Sequence, residues 1–110
     1  MNIGVELYLQ IHEDVHKKDI LTFGHNSQLQ IAAEECSELN KECIKALRGK
    51  LRREKMVEEM ADVLIMIKHL AIMFNVTDEE LITWIRYKTQ RTSEEIEKYI
   101  KTTKGELNEI

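Results

Sequence analysis

Two stretches of the chain carry apolar residues at the spacing of an amphipathic α-helix. At about 100° per residue, the apolar positions from Ser27 to Arg48 fall on one broad face, as do those from Lys55 to Phe74. The first face contains Leu29, Ala32, Cys36, Leu39, Cys43, Ala46 and Leu47. The second contains Met56, Val57, Met60, Val63, Leu64, Ile67, Leu70, Ala71 and Phe74. The pattern therefore predicts two long helices, with Gly49 as a left-handed stop after the first of them.

The segment before this pair has a weaker periodicity. It predicts a first helix over about residues 5–18 and a connecting turn over residues 19–24 that ends in glycine. Ser27 and Gln30 have the spacing of a capping box, so we expect the next helix to begin at Ser27.

A second capping box, formed by Thr77 and Glu80, predicts a fourth helix that continues through Tyr99. The chain is therefore predicted to be all-α, an up-and-down bundle of about four helices in a single domain over residues 1–110. Ile65 and Ile72 lie outside the main apolar face of the third helix. Because such a helix is usually buried on more than one side, we expect a homo-oligomer.

Composition narrows the function classes. Charged residues make up 33% of the chain, aromatic residues 5%, and proline is absent, which favours helices over a sheet. A net charge of -4 argues against binding to nucleic acid polymers or to an anionic membrane. No signal peptide and no bilayer-spanning apolar run is visible. Cys36 and Cys43 would lie about 10.5 Å apart along a helix, too far for a disulfide, so we expect reduced thiols and a cytoplasmic location.

Two pairs of acidic residues accompany the apolar faces of the second and third predicted helices. Glu35 and Glu38 are three residues apart, as are Glu59 and Asp62, so each pair directs its carboxylates to one side of its helix. Antiparallel packing would bring these four acids together, where they would repel and raise one another's pKa. A hard divalent cation relieves that repulsion. Four oxygen ligands favour Mg²⁺, or alternatively Mn²⁺, and predict a site that holds a polyphosphate and activates water.

Some of these residues also fit simpler roles or different metal sites. Either acidic pair alone is most simply a solvated helix edge, although two pairs on consecutive helices weaken that interpretation. Di-iron bundles use a Glu-x-x-His motif on each of two helices, and the chain lacks that pair of motifs. His12 and His16 have a spacing that can chelate zinc, but the surrounding sequence favours a surface helix. The basic connector over residues 49–54 is either a solvated loop or a mobile loop that contacts phosphate.

The four acids and their surroundings resemble the MazG-like branch of the all-α nucleoside triphosphate pyrophosphohydrolases. The signature of that family is Glu-x-x-Glu, a variable spacer and Glu-x-x-Asp. Here it is Glu35, Glu38, Glu59 and Asp62, with 20 residues between the pairs. The flanking Gln-Leu-Gln-Ile-Ala-Ala-Glu-Glu-Cys-Ser-Glu-Leu and Glu-Glu-Met-Ala-Asp-Val-Leu-Ile-Met are similar to small bacterial and phage members, and the likeness covers about residues 24–91.

The resemblance implies Mg²⁺-dependent hydrolysis of (deoxy)nucleoside triphosphates to a monophosphate and pyrophosphate, in a homodimer or homotetramer. The four acids would hold the metal, and one glutamate would activate the water. Lys88 and Arg91 correspond to a basic element that meets phosphate oxygens, or else belong to an exposed helix face. Gln28 lies where similar proteins place polar side chains near the nucleotide. The alternative function is a non-catalytic helical interaction module that binds metal or nucleotide, and the intact acids favour the enzyme.

Overall fold

Helices make up almost all of the chain. The computed structural model describes the backbone of residues 4–109 and the side chains of residues 4–104. The helices are α1 (Val5–Ile11), α2 (Glu13–Phe23), α3 (His25–Leu47), α4 (Arg53–Met73) and α5 (Asp78–Glu109). No strand occurs between residues 4 and 109, so the all-α prediction is confirmed, with five helices rather than about four.

The predicted first helix is two helices in the structure. The backbone leaves helical geometry at His12 (φ -102°, ψ 25°), where α1 ends and α2 begins. The predicted turn over residues 19–24 is wrong, because α2 continues to Phe23 and the chain turns only at Gly24. Neither glycine nor proline marks the break at His12, so this break has no local signal in the sequence.

Gly24 also sets the start of α3. It is the N-cap residue, with φ 87° and ψ 163°, and its carbonyl accepts a hydrogen bond from the Gln28 N–H at 3.1 Å. A positive φ is accessible to glycine without steric penalty. The helix therefore begins at His25, and the capping box predicted for Ser27 and Gln30 is wrong, because no described side chain caps this end.

Helices α3 and α4 are each followed by a residue with left-handed backbone. After α3, Gly49 has φ 74°, and its N–H donates to the carbonyl of Ala46 at 3.0 Å. The N–H of Lys50 donates to the carbonyl of Lys45 at 2.8 Å, which completes a Schellman motif. Asn75, with φ 54°, occupies the equivalent position after α4. The predicted stop at Gly49 is thus confirmed.

α3 and α4 form an antiparallel pair, because Gln28 near the start of α3 contacts His69 near the end of α4, and Glu35 in mid-α3 lies beside Asp62 in mid-α4. α2 packs against both members of this pair. The most buried side chains are Ile20 of α2, Gln28, Ala32 and Glu42 of α3, and Glu59, Met66 and His69 of α4. The contact region therefore contains polar and ionisable groups beside its apolar ones.

The buried face of α3 matches the face that its apolar periodicity predicted only in part, since Ala32 is buried as predicted but other members of that face are exposed. Leu29 is 41% exposed, Leu47 is 84% exposed, and both cysteines are exposed. The helix is oriented instead so that Gln28 and Glu42 are buried. This orientation also places Glu35 against α4.

Contacts divide the chain into two compact units, with the boundary between Val76 and Thr77. α5 belongs to the second unit and begins with a complete capping box. The Glu80 N–H donates to Thr77 Oγ1 at 3.1 Å, and the Thr77 N–H donates to Glu80 Oε2 at 2.8 Å. This box confirms the predicted start of the helix. None of the helices within residues 4–109 has the length and apolar character that crossing a lipid bilayer requires.

Candidate metal centre

Three of the four acids come together where α3 and α4 pack. Glu35 of α3 and Glu59 and Asp62 of α4 each offer a carboxylate oxygen, and these three oxygens lie within 4.8 Å of one another. Glu59 and Asp62 share one side of α4 because three residues make nearly one helical turn. The antiparallel packing of the helices places Glu35 opposite them. We call these three residues the acidic triad.

Glu59 is the most buried member of the acidic triad, with 3% of its surface exposed. Its Oε1 atom forms an ion pair with Lys55 Nζ at 3.0 Å. Its Oε2 atom is buried and has no hydrogen-bond partner among the described residues. A buried carboxylate oxygen without a partner is energetically costly, and a cation bound between the three carboxylates would remove that cost.

The electrostatics of Glu35 reflect the same crowding. Burial, reinforced by the adjacent carboxylate of Asp62 and then by Glu59 and Glu38, raises the pKa of Glu35. The folded metal-free protein therefore binds this proton more tightly than the unfolded chain does. Its stability is lowered by the ionised Glu35 at neutral pH and recovers as the pH falls through the raised pKa.

Glu38 lies outside the group of three carboxylates that the described residues form. Its side chain accepts a hydrogen bond from Lys41 Nζ at 3.0 Å and is 46% exposed. It is nevertheless close enough to Glu35 to contribute to the raised pKa of that residue. That Glu38 is a fourth metal ligand therefore stays a prediction.

Glu42 and Arg52 form an ion pair that the sequence did not reveal. Arg52 donates from Nε to Glu42 Oε1 at 3.1 Å and from Nη2 to Oε2 at 2.6 Å. This two-point contact with a buried carboxylate lowers the pKa of Glu42, and Lys45 adds to the effect. Arg52 thus anchors the basic connector to α3. Neither interpretation of residues 49–54, as a solvated loop or as a mobile loop that contacts phosphate, predicted this contact. Glu42 follows Glu38 by four residues, but nothing in the sequence distinguishes it from solvated glutamates.

Gln28 is held in a buried network of hydrogen bonds. Its Oε1 atom lies 2.7 Å from His69 Nδ1, and its Nε2 atom donates to Asp19 Oδ1 at 3.3 Å. His69 Nε2 lies in turn 2.9 Å from His16 Nδ1. The amide of Gln28 therefore links α3 to α2 and α4, and its role in substrate binding stays a prediction. His69 was missed because its partners are more than 40 residues away in the sequence.

Lys88 and Arg91 lie on α5, in the second unit. The Arg91 guanidinium lies 5.9 Å from the centre of the Tyr87 ring, and its Nε atom is 3.7 Å from Glu95 Oε1. The carbonyl of Lys88 accepts a hydrogen bond from the Thr92 hydroxyl. These local contacts leave the predicted phosphate-binding role of both residues open to experiment.

Comparison with known proteins supplies no relative for the chain. No family model, no curated protein and no solved structure matches it. What the acidic triad can do is therefore argued from its own chemistry. Three carboxylates without a cysteine or histidine ligand form a hard, oxygen-only donor set, which suits Mg²⁺ or Mn²⁺ better than zinc.

Proposed function

We propose that the chain is a nucleoside triphosphate pyrophosphohydrolase that uses Mg²⁺, or alternatively Mn²⁺, bound by Glu35, Glu59 and Asp62. The observation that carries this proposal is the acidic triad, whose three carboxylate oxygens lie within 4.8 Å of one another. One of its residues, Glu59, also has a buried Oε2 atom without a hydrogen-bond partner among the described residues. Mg²⁺ commonly shares its coordination shell between one or two carboxylates and substrate phosphates. The likeness of the four acids to the MazG-like signature supports the choice of substrate.

In the proposed reaction, water cleaves the bond between the α- and β-phosphoryl groups. A nucleoside monophosphate and pyrophosphate leave, and a carboxylate beside the metal accepts the proton released by the water. Bound Mg²⁺ would offset the negative charge of the phosphate oxygens. The resemblance assigns Lys88 and Arg91 to cationic contacts with phosphate oxygens.

Incubation of the purified chain with a panel of ribo- and deoxynucleoside triphosphates and Mg²⁺ tests the proposal. We expect equal amounts of monophosphate and pyrophosphate from at least one nucleotide, with no reaction in EDTA. Phosphorus NMR distinguishes these products from the orthophosphate that a phosphatase would release. Absence of pyrophosphate with every nucleotide, combined with a melting temperature that still rises with Mg²⁺, would favour the non-catalytic binding module.

We also propose that the chain self-associates through the outer faces of α3 and α4. Apolar side chains on these faces are exposed although they lie at helical spacing. They are Leu29, Ile44 and Leu47 of α3 and Val57, Met60 and Ile67 of α4. An exposed apolar helix face is typical of a protein interface. A second copy of the chain is the expected occupant, since the sequence also predicts a homo-oligomer.

Met60→Glu is expected to weaken self-association, because Met60 is 49% exposed within the apolar face of α4 and the new carboxylate would be desolvated in an interface. Gln30→Glu is the matched control, because it adds the same charge at an exposed position of α3 outside that face. Sedimentation velocity measures both. A monomeric wild-type chain, or a Met60→Glu variant that associates as the wild type does, would contradict the proposed interface.

A further inference from the structure

A continuous series of side-chain hydrogen bonds joins α2, α3 and α4. It begins at His16 of α2, passes through His69 of α4 and Gln28 of α3, and returns to α2 at Asp19. Only 1% of Gln28 and 2% of His69 is exposed. His69 follows Asp62 by seven residues, about 10.5 Å along the helix, so this network is separate from the acidic triad.

The direction of each hydrogen bond follows from the amide of Gln28. Its nitrogen faces the Asp19 carboxylate, which can only accept, so its oxygen faces His69 and accepts the hydrogen of Nδ1. A neutral His69 then has a lone pair on Nε2, and the His16 Nδ1–H donates to it. Each of the three hydrogen bonds in the series joins a donor to an acceptor when both imidazoles are neutral.

Double protonation disrupts this match. A first proton can bind His16 Nε2, because the resulting imidazolium still donates from Nδ1 to His69 Nε2. A second proton places two N–H groups, each on a cationic ring, opposite one another across a contact of 2.9 Å. The buried position of His69 leaves little water to solvate either charge.

The surrounding charges do not remove this cost. Asp19 Oδ2 lies 3.9 Å from His69 Nδ1 and favours protonation. Lys68, which pairs with Glu13 at 3.1 Å, opposes protonation of His16, as does His12. Asp14 acts on His16 in the same direction as Asp19.

The net effect is one of destabilisation in acid. Burial is the largest effect, and it lowers the pKa of both His16 and His69. The docked state, in which α2 packs against α3 and α4, therefore binds these protons more weakly than a state in which α2 is released or the chain is unfolded. The contribution of the two neutral histidines to the stability of the docked state is fully present above the ordinary histidine pKa of about 6.5. It is lost as the pH falls below that value. Each of the two histidines changes the equilibrium constant between the docked and released states by up to about tenfold per pH unit.

We propose that His16, Asp19, Gln28 and His69 form a pH-sensitive latch, in which protonation of the two imidazoles releases α2 from the α3–α4 pair. α3 and α4 keep their own contacts, including the two-point ion pair between Glu42 and Arg52. Release of α2 also opens the groove of about 590 Å³ that α1, α2 and α4 enclose, because His16 lines both the groove and the latch.

Hydrogen exchange of the full chain, followed by mass spectrometry at pH 7.5 and pH 5.5, tests this latch. After correction for the intrinsic exchange rate, peptides from residues 5–23 are expected to lose between about tenfold and a hundredfold more protection at pH 5.5 than peptides from α3 and α4. Unchanged protection of residues 5–23 would overturn the proposal. Equal loss from all helices would overturn it too, because that result indicates global unfolding rather than release of α2.

Two variants sharpen the test. His16→Asn keeps a donor near the Nδ1 position but does not titrate, so it is expected to protect α2 at pH 7.5 and to show a smaller loss at pH 5.5. His25→Asn removes an exposed histidine outside the latch and is expected to keep the full wild-type response. A wild-type response in His16→Asn, or a reduced one in His25→Asn, would contradict the assignment of the effect to the latch.

Discussion

Asp62→Asn is expected to lower the rate of pyrophosphate release by more than about a hundredfold. Loss of a residue that only supports a metal ligand commonly lowers affinity or activity about 10–100-fold, so loss of a direct ligand should exceed that range. The asparagine keeps the size of the side chain but removes its charge. The rate is measured at saturating Mg²⁺ with the nucleotide that the wild-type chain hydrolyses fastest.

Glu34→Gln is the matched control for this substitution. Glu34 is adjacent to Glu35 in the sequence but exposed, so neutralising it is expected to leave the rate within about twofold of wild type. Equal losses in Glu34→Gln and Asp62→Asn would contradict the assignment of the acidic triad. The rate of Glu38→Gln, measured under the same conditions, tests whether Glu38 is a metal ligand when Mg²⁺ is bound. That role would require Glu38 to give up its hydrogen bond with Lys41.

Glu35→Gln is expected to raise the melting temperature of the metal-free chain at pH 7.5 and to remove most of its response to Mg²⁺. The wild-type carboxylate is destabilising when ionised, because burial and Asp62 raise its pKa. For the wild type, Mg²⁺ at about ten times its Kd should add about 1.4 kcal/mol, which is roughly 6–11 °C in a domain of this size. Thermal unfolding with and without Mg²⁺ measures both effects.

The pH dependence of this variant supplies an internal check. As the pH falls through the raised pKa, the wild-type Glu35 becomes protonated and resembles glutamine. The stability advantage of Glu35→Gln should therefore shrink in mild acid. An advantage that stays constant with pH, or a metal-free variant that melts below the wild type, would show that crowding of the carboxylates is not the cause.

The helix pair could be predicted well because its signals are local. Long apolar periodicity predicted α3 and α4 to within two residues of all four of their ends, and Gly49 supplied the stop after α3. Thr77 and Glu80 likewise predicted the start of α5. The division at His12 was not predictable, since the segment is weakly periodic and contains no residue that breaks a helix there.

The buried face of α3 could not be predicted for a different reason. Periodicity assigns apolar residues to the core, but the structure buries Gln28 and Glu42 because each finds a partner on another segment. His69 lies 41 residues from Gln28, and Arg52 lies beyond the end of the helix. The sequence alone does not reveal such pairings, although its two acidic pairs did predict that Glu35 would meet Glu59 and Asp62 across the two helices.

All three carboxylates of the acidic triad come from one uninterrupted helical hairpin of about 50 residues, His25 to Phe74. Chain segments outside this hairpin donate no ligand to the triad within the described residues. The hairpin is therefore a portable module: transplanting it into another helical scaffold would carry the complete set of carboxylates with it. The neighbouring helices would then determine which molecules reach the carboxylates, while the proposed cation site would travel with the hairpin itself.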